Sequence, residues 1–308
     1  MAAWNAAQIP RQTGQTAVVT GATGGIGYET ALALAGAEAR VIVAARNRTK
    51  GEDALARIRD AHPKADVRFE LLDLTSLESV AACAGRIADT CPRLDLLINN
   101  AGVMMPPARQ ETADGFELQF GVNHLAHFAF TVRLLPLLKR GDRPRVVTVS
   151  SGAHHTGQIN FTDLNWTARA YRPWYVYSQS KLANLLFAFE LQRRSQDAGW
   201  GLMSNAAHPG YARTDLIANG PGRTGLSGLL GPLVEPLISH SAADGALPTL
   251  YAATAPQACG CGYYGPGGFF ELIGPPRDAS LAKATRDQAV ARRLWSVSED
   301  LTGIRAPG

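Results

Sequence analysis

"TAVVTGATGGIGYETALALAGA", Thr16 to Ala37, passes from a short β-branched run through four glycines into a segment of helical period. "TAVVT" reads as a buried strand and "GYETALALAGA" as the helix after it. Between them, glycines allow positive φ and let the main chain approach a bound group closely. The N–H groups opening the helix would face that group, and a helix N-terminus favours negative charge. Tight turns also use glycine clusters, so the motif gains its weight from its place between a first strand and a first helix.

Outward from this stretch the same alternation continues. Aliphatic runs recur at "RVIVAA" (Arg40–Ala45), "VRFELLDL" (Val67–Leu74), "LDLLINN" (Leu94–Asn100), "RVVTVSS" (Arg145–Ser151) and "GLMSNAAHPG" (Gly201–Gly210). Strands apolar at nearly every position are buried on both faces, which predicts an α/β fold: a doubly wound parallel sheet with right-handed crossovers. Helices are expected in "TSLESVAACAGRIAD", with Thr75 as a candidate cap, and through "FELQFGVNHLAHFAFTVRLLPLLKR". No repeat or low-complexity linker divides the chain, so residues 1–308 read as one Rossmann-type domain. A terminal segment, 284–308, contains an amphipathic helix and tail. Two irregular stretches stand out: the loop from Gly152 to Trp174, and 217–240, where Gly and Pro mix with Leu, Val and Ile as in a substrate lid.

The chain has 308 residues, 46% hydrophobic and 18% charged, with a net charge of +4 and interleaved signs. Such a dispersed excess speaks against nucleic-acid binding. The four cysteines lack zinc-ribbon spacing and are too few for a disulfide framework, so reduced buried thiols are expected. His154 and His155 form no metal arrangement with an acid, and no metal site is expected. The first residues contain no apolar run of signal-peptide or membrane-span length, which points to a cytoplasmic protein.

"TGATGGIG", "NNAG" (Asn99–Gly102), "VNHLAHF" (Val122–Phe128), "YSQSKLANLLF" and "HPGYARTDL" (His208–Leu216) follow one another as in the short-chain dehydrogenase/reductase family. The resemblance covers roughly residues 14 to 255 and is strongest to the branch of retinol dehydrogenases and their bacterial relatives. It implies an oxidoreductase in which Gly21, Thr23, Gly25, Ile26 and Gly27 cradle the dinucleotide pyrophosphate. Asp73 and Leu74 would lie at the adenine; for Asp73 a helix cap is an equal alternative. Asn99, Ala101 and Gly102 would pass the ribose, while Pro209, Gly210 and Thr214 would reach the nicotinamide.

The residue after the second strand bears on which dinucleotide fits. An acid there holds a ribose 2′-hydroxyl, whereas a 2′-phosphate needs a cation. "AARNRTKG" carries Arg46, with Arg48 and Lys50 close behind, so NADP(H) is expected and NAD(H) is the alternative.

"WYVYSQSK" offers two tyrosines, but a helix turns about 100° per residue, so only Tyr177, four before Lys181, shares a face with it. A nearby ammonium should lower the phenol's pKa and make it a usable acid or base. Of Ser150 and Ser151, adjacent strand residues facing opposite ways, the family pattern selects Ser151, which lies 26 residues before Tyr177, a separation matching the retinol-dehydrogenase-like branch. Asn123 matches the family's fourth catalytic residue, which holds a water behind the lysine. The expected activity is interconversion of a lipophilic carbonyl and its alcohol, with Val103, Met104 and residues 161–174 on the substrate side. A silent dinucleotide-binding regulator or scaffold and an NAD-preferring alcohol dehydrogenase are the rivals. A homodimer through the long helices near Leu125 and Leu185 is a further expectation.

Overall fold

Strand β1 (Thr16–Thr20) sends Val18 into one apolar layer and Ala17 and Val19 into the layer opposite. β2 (Arg40–Ala45) does likewise, with Ile42 and Ala44 on the first side and Val41 and Val43 on the second. This is the physical meaning of runs without polar alternation: both faces are covered, and each fully buried aliphatic side chain contributes about 1.5–3 kcal/mol. The structure is a computed structural model describing residues 3–211 and 240–306. The sheet continues through β3 (Val67–Leu71), β4 (Leu96–Asn99), β5 (Arg145–Val149), β6 (Met203–Ala207), β7 (Tyr263–Pro266) and β8 (Pro276–Asp278). Its order is β3-β2-β1-β4-β5-β6-β7-β8.

All pairings are parallel except that of β7 with β8, which is antiparallel. The expected doubly wound parallel sheet is present, with one antiparallel strand added at its margin. Neither of the last two strands stood out in the sequence, because "YYGP" and "PRD" are short and carry glycine or proline.

Helices α1 (Gly25–Gly36), α2 (Arg48–Ala61) and a later helix, Ala242–Thr254, cover one face. The other carries α3 (Leu77–Thr90) and the segment α4 (Leu118–Phe120), a π turn (Gly121–Leu125) and α5 (Ala126–Leu138). After β5 come a 3-10 turn (Gly152–Thr156) and α6 (Pro173–Asp197); Ala242–Thr254 is α7 and Gln288–Thr302 is α8. The cap of α3 is Ser76, whose side chain accepts from Ser79 N–H, and not Thr75.

Helix α8 seals the long helices from outside. Trp295 stacks on Phe187 of α6 and meets Phe128 of α5 edge-on, with centroids 5.8 and 5.0 Å away. Leu125 and Leu185 are fully buried within the chain, so neither offers a surface for pairing two copies. Of the cysteines, Cys83 and Cys91 are buried, but Cys259 is exposed, contrary to expectation; all four are free. Among the described residues no helix is long and apolar enough to cross a membrane.

Candidate active site

The strand order reverses direction between β1 and β4, and a cavity of about 420 Å³ opens there at the carboxyl ends of the strands. Parallel strands whose connections diverge leave such a crevice unfilled. The segments following β1, β2, β3, β4 and β6, with the end of β5, all contribute to its wall.

Gly21, Thr23, Gly25, Ile26 and Gly27 line it after β1. Gly21 has a φ of +67°, and a Cβ there would sit 2.9 Å from the Ala101 Cβ. At Gly27 a Cβ would come within 2.5 Å of Asn100 Nδ2 and 2.6 Å of the Gly21 carbonyl oxygen. The N-terminus of α1 has no side-chain cap and no acid in its first turn, whereas α2 and α3 are capped by Asn47 and Ser76. Its N–H donors are left for a bound anion.

After β2, Arg46, Asn47 and Lys50 line the cavity, and no acid stands among them. Arg48 points elsewhere: it lies 3.7 Å from Glu52 and over the Phe69 ring. Asp73 and Leu74 line the wall after β3. Asp73 Oδ1 accepts from the Thr75 N–H and hydroxyl, at 2.9 and 2.8 Å, so Asp73 shapes the loop and does not cap α3.

At β4 the structure corrects one assignment. Asn99 is buried away from the cavity, its Nδ2 donating to Thr131 Oγ1 at 2.9 Å. The lining residue is Asn100, which donates through N–H to Thr20 Oγ1 at 3.0 Å and through Nδ2 to the Thr20 carbonyl at 2.8 Å. Strand alternation sends the two asparagines to opposite sides, and the doublet alone does not say which. Ala101, Gly102 and Val103 continue the wall.

Asn123 sits in the π turn with its side chain spent on protein partners. Its Oδ1 accepts from Val103 N–H at 2.8 Å, while Nδ2 donates to the Val103 carbonyl at 3.0 Å and to Ser180 Oγ at 2.9 Å. Holding a water would fall to its main-chain carbonyl, which already accepts from His127 Nδ1 at 3.1 Å. His127 Nε2 in turn meets Thr20 Oγ1 at 2.9 Å, so this histidine links the glycine loop to the π turn. The sequence reading did not assign it; its position four after Asn123 in "VNHLAHF" was the available signal. Gln119, also unassigned, accepts from Met105 N–H at 2.8 Å and donates to Tyr171 Oη and the Pro173 carbonyl, tying the loop after β4 to the start of α6.

Tyr177 and Lys181 of α6 face the cavity and are buried. Lys181 Nζ donates to the Val149 carbonyl at 3.2 Å and lies 5.6 Å from the Tyr177 ring centre. Burial lowers its pKa to about 8. Burial also pushes the Tyr177 phenol up to about 12, with the adjacent Ser151 hydroxyl acting against that. Removing the phenolate from water thus moves the phenol in the direction opposite to the one expected from the ammonium. Ser150 Oγ turns back to the Lys181 carbonyl at 2.8 Å, while Ser151 opens the 3-10 turn, its Oγ accepting from Ala153 N–H at 3.2 Å.

Pro209 lines the cavity beyond β6. Gly210, at φ +68°, lies beside the Leu272 carbonyl, which a Cβ would strike. Thr214 lies outside the described residues, as does 217–240 apart from His240. Tyr175 and Trp174 are exposed, and Phe161 packs toward α8 with Arg293 over its ring at 4.1 Å.

The profile of the short chain dehydrogenase family matches residues 15–221. Retinol dehydrogenase 13 of Homo sapiens is 43% identical over 296 residues, 96% of this chain and 86% of that protein. Polyprenol dehydrogenase of Mus musculus is 40% identical, with 96% and 86% covered. A crystal structure of a Mycobacterium paratuberculosis protein superposes with a TM-score of 0.81 at 42% identity, covering all of both chains. A short chain dehydrogenase of Shigella flexneri solved with NADP gives 0.62 at 26% identity, over 80% of this chain and 93% of that one. The chain belongs to the short-chain dehydrogenase/reductase family, in its retinol-dehydrogenase-like branch. It is an oxidoreductase of carbonyls and alcohols with a nicotinamide dinucleotide as cofactor.

Proposed function

We propose that this enzyme interconverts a lipophilic aldehyde or ketone and its alcohol with NADP(H), Tyr177 being the proton donor or acceptor. The observation that carries this reading is a buried tyrosine–lysine pair sharing one cavity with an uncapped helix N-terminus and with Arg46 and Lys50, whose side chains have no ion pair among the described residues. The cradle suits a dinucleotide: glycines at 21 and 27 let the loop pack closely on Ala101 and Asn100 where a Cβ would collide, and among the described residues the α1 donors meet no side-chain cap. When bound, the dinucleotide supplies or accepts the hydride at the carbonyl carbon.

The chain's own residues do the rest. Arg46 and Lys50 hold the 2′-phosphate, a task suited to the planar donors of arginine. The α1 N–H groups hold the pyrophosphate, and Asp73 and Leu74 border the adenine. Lys181 retains donors for ribose hydroxyls beyond its bond to Val149. During reduction the carbonyl oxygen gains charge, Ser151 donates a hydrogen bond to it, and Tyr177 gives up its phenolic proton to form the alcohol. A phenol held at about 12 is protonated at neutral pH and begins that step as the acid. Asn123 acts as a clamp on Val103, fixing the loop beside the reacting centre.

Val103 contributes an apolar wall, and relatives named for retinol and polyprenol support an isoprenoid-like alcohol or aldehyde as substrate. The test is NADPH consumption over a panel of isoprenoid, steroid and small charged carbonyls, with Tyr177→Phe alongside. Loss of the phenolic proton should cost about 10²–10⁴ in kcat. Equal rates in both proteins, or a preference for small charged keto acids, would overturn the reading.

A further inference from the structure

We propose that His154 is a positioning residue for Ser151, holding its main-chain carbonyl and so the orientation of its hydroxyl. This rests on the role of Ser151 given above. Ser151 lies two residues beyond the end of β5 and caps a 3-10 turn, and two bonds meet at its carbonyl oxygen. One is the turn's own, from His154 N–H at 3.1 Å; the other comes from His154 Nδ1 at 2.7 Å. The first is the weaker kind, since 3-10 geometry aligns donor and acceptor poorly. On the Gly152 side no described residue beyond its chain neighbours comes within 4 Å of where a Cβ would stand, so their packing does not hold the peptide that follows Ser151. The ring bond supplies that restraint.

The ring itself is fixed from three sides. Its Nε2 accepts from the Ala282 N–H at 3.2 Å, a residue 128 positions away, and this puts the ring proton on Nδ1, facing Ser151. Tyr263 meets the ring edge-on at 5.4 Å, and His155 lies against it at 4.1 Å. Tyr263 is backed by the ring of His208, which pairs with Glu271 at 3.1 Å and accepts from Gly210 N–H at 3.2 Å. The histidine is 1% exposed, too deep to touch solvent, and is not among the cavity-lining residues, so its route to the site is its bond to the Ser151 carbonyl.

The experiment compares His154→Phe, which keeps the ring contacts without the donor, with His154→Asn, whose amide can donate from near the Nδ1 position. A displacement of about 1 Å at a reacting group costs on the order of 10²-fold, so His154→Phe should lose about 10- to 100-fold in kcat for a hydrophobic aldehyde. NADPH affinity, read by fluorescence titration, should stay within about twofold, and His154→Asn should recover most of kcat. In a Ser151→Ala background, His154→Phe should cost almost nothing more, because both changes remove one function. Wild-type kcat in His154→Phe, equal losses in Phe and Asn, or full additivity with Ser151→Ala would each overturn the role. If Ser151→Ala turns over like wild type, the assignment of Ser151 fails; if only His154→Phe does, the positioning role fails alone. Imidazole ¹⁵N shifts of the wild-type protein provide a check that needs no variant: a proton on Nδ1 is expected, and a proton on Nε2 refutes the arrangement.

Discussion

Arg46→Ala is the most direct test of cofactor choice. Arg46 is the first residue after β2, exposed, and among the described residues its guanidinium makes no hydrogen bond or ion pair. Its removal should leave the fold intact, so a change in affinity is not a change in stability. A hydrogen bond to a charged group contributes about 1.5–3 kcal/mol, and at an exposed site the lower end applies. Since about 1.4 kcal/mol is a factor of ten, NADPH should bind about tenfold more weakly. NADH, lacking the 2′-phosphate, should change less than about twofold. Lys50→Ala should behave similarly, and the double variant should fall short of the product because both cations share one phosphate. The assay is fluorescence titration of both cofactors at low and high ionic strength. Screening over roughly 10 Å at about 0.1 M salt should narrow the NADPH gap between wild type and variant as salt rises. Parallel losses for NADPH and NADH, or no loss for either, would refute the assignment.

Gly27→Ala should lower Tm and weaken cofactor binding, since its Cβ would collide with Asn100 Nδ2 and the Gly21 carbonyl; overpacking costs about 1–3 kcal/mol. Gly85→Ala in α3, with nothing within 4 Å, should instead stabilise by about 0.5–1 kcal/mol, and an unchanged difference in Tm between the two variants would count against the packing argument. Lys181 is charged below about 8 and neutral above, so NADPH dissociation constants should rise as pH climbs through that value. Stability runs the other way: between about 8 and the ordinary lysine value of 10.5 the unfolded chain holds a proton the folded one has released, so stability rises with pH there. Binding that stays flat across this window, or a Lys181→Met variant keeping the same limb, would refute the link.

Much of the architecture was legible because its signals are local. Continuous apolar runs marked the six strands of the doubly wound core, and the glycine cluster marked the turn between β1 and α1. Strands β7 and β8 were not, since a short pair at a sheet margin needs no apolar run. Asn99 and Asn100 show the limit at single-residue scale: a doublet at a strand end fixes that one of them faces the crevice, and only the paired sheet says which.

What the sequence determined by itself is what periodicity and chain order carry: a first strand opening into a glycine turn, cations after the second strand, and a tyrosine four residues from a lysine on one helical face. What only the tertiary structure decided is what depends on distant neighbours. Covering by α8 turned Leu125 into a core residue, and packing with Phe189, Ala206 and Tyr263 did the same for Leu185. Burial raised the Tyr177 phenol, against the effect expected from Lys181, because desolvation sums over everything packed around a group while a helical spacing reports one pair. His154 belongs to this second kind: its partner Ala282 lies 128 residues away, and no local pattern contains that bond.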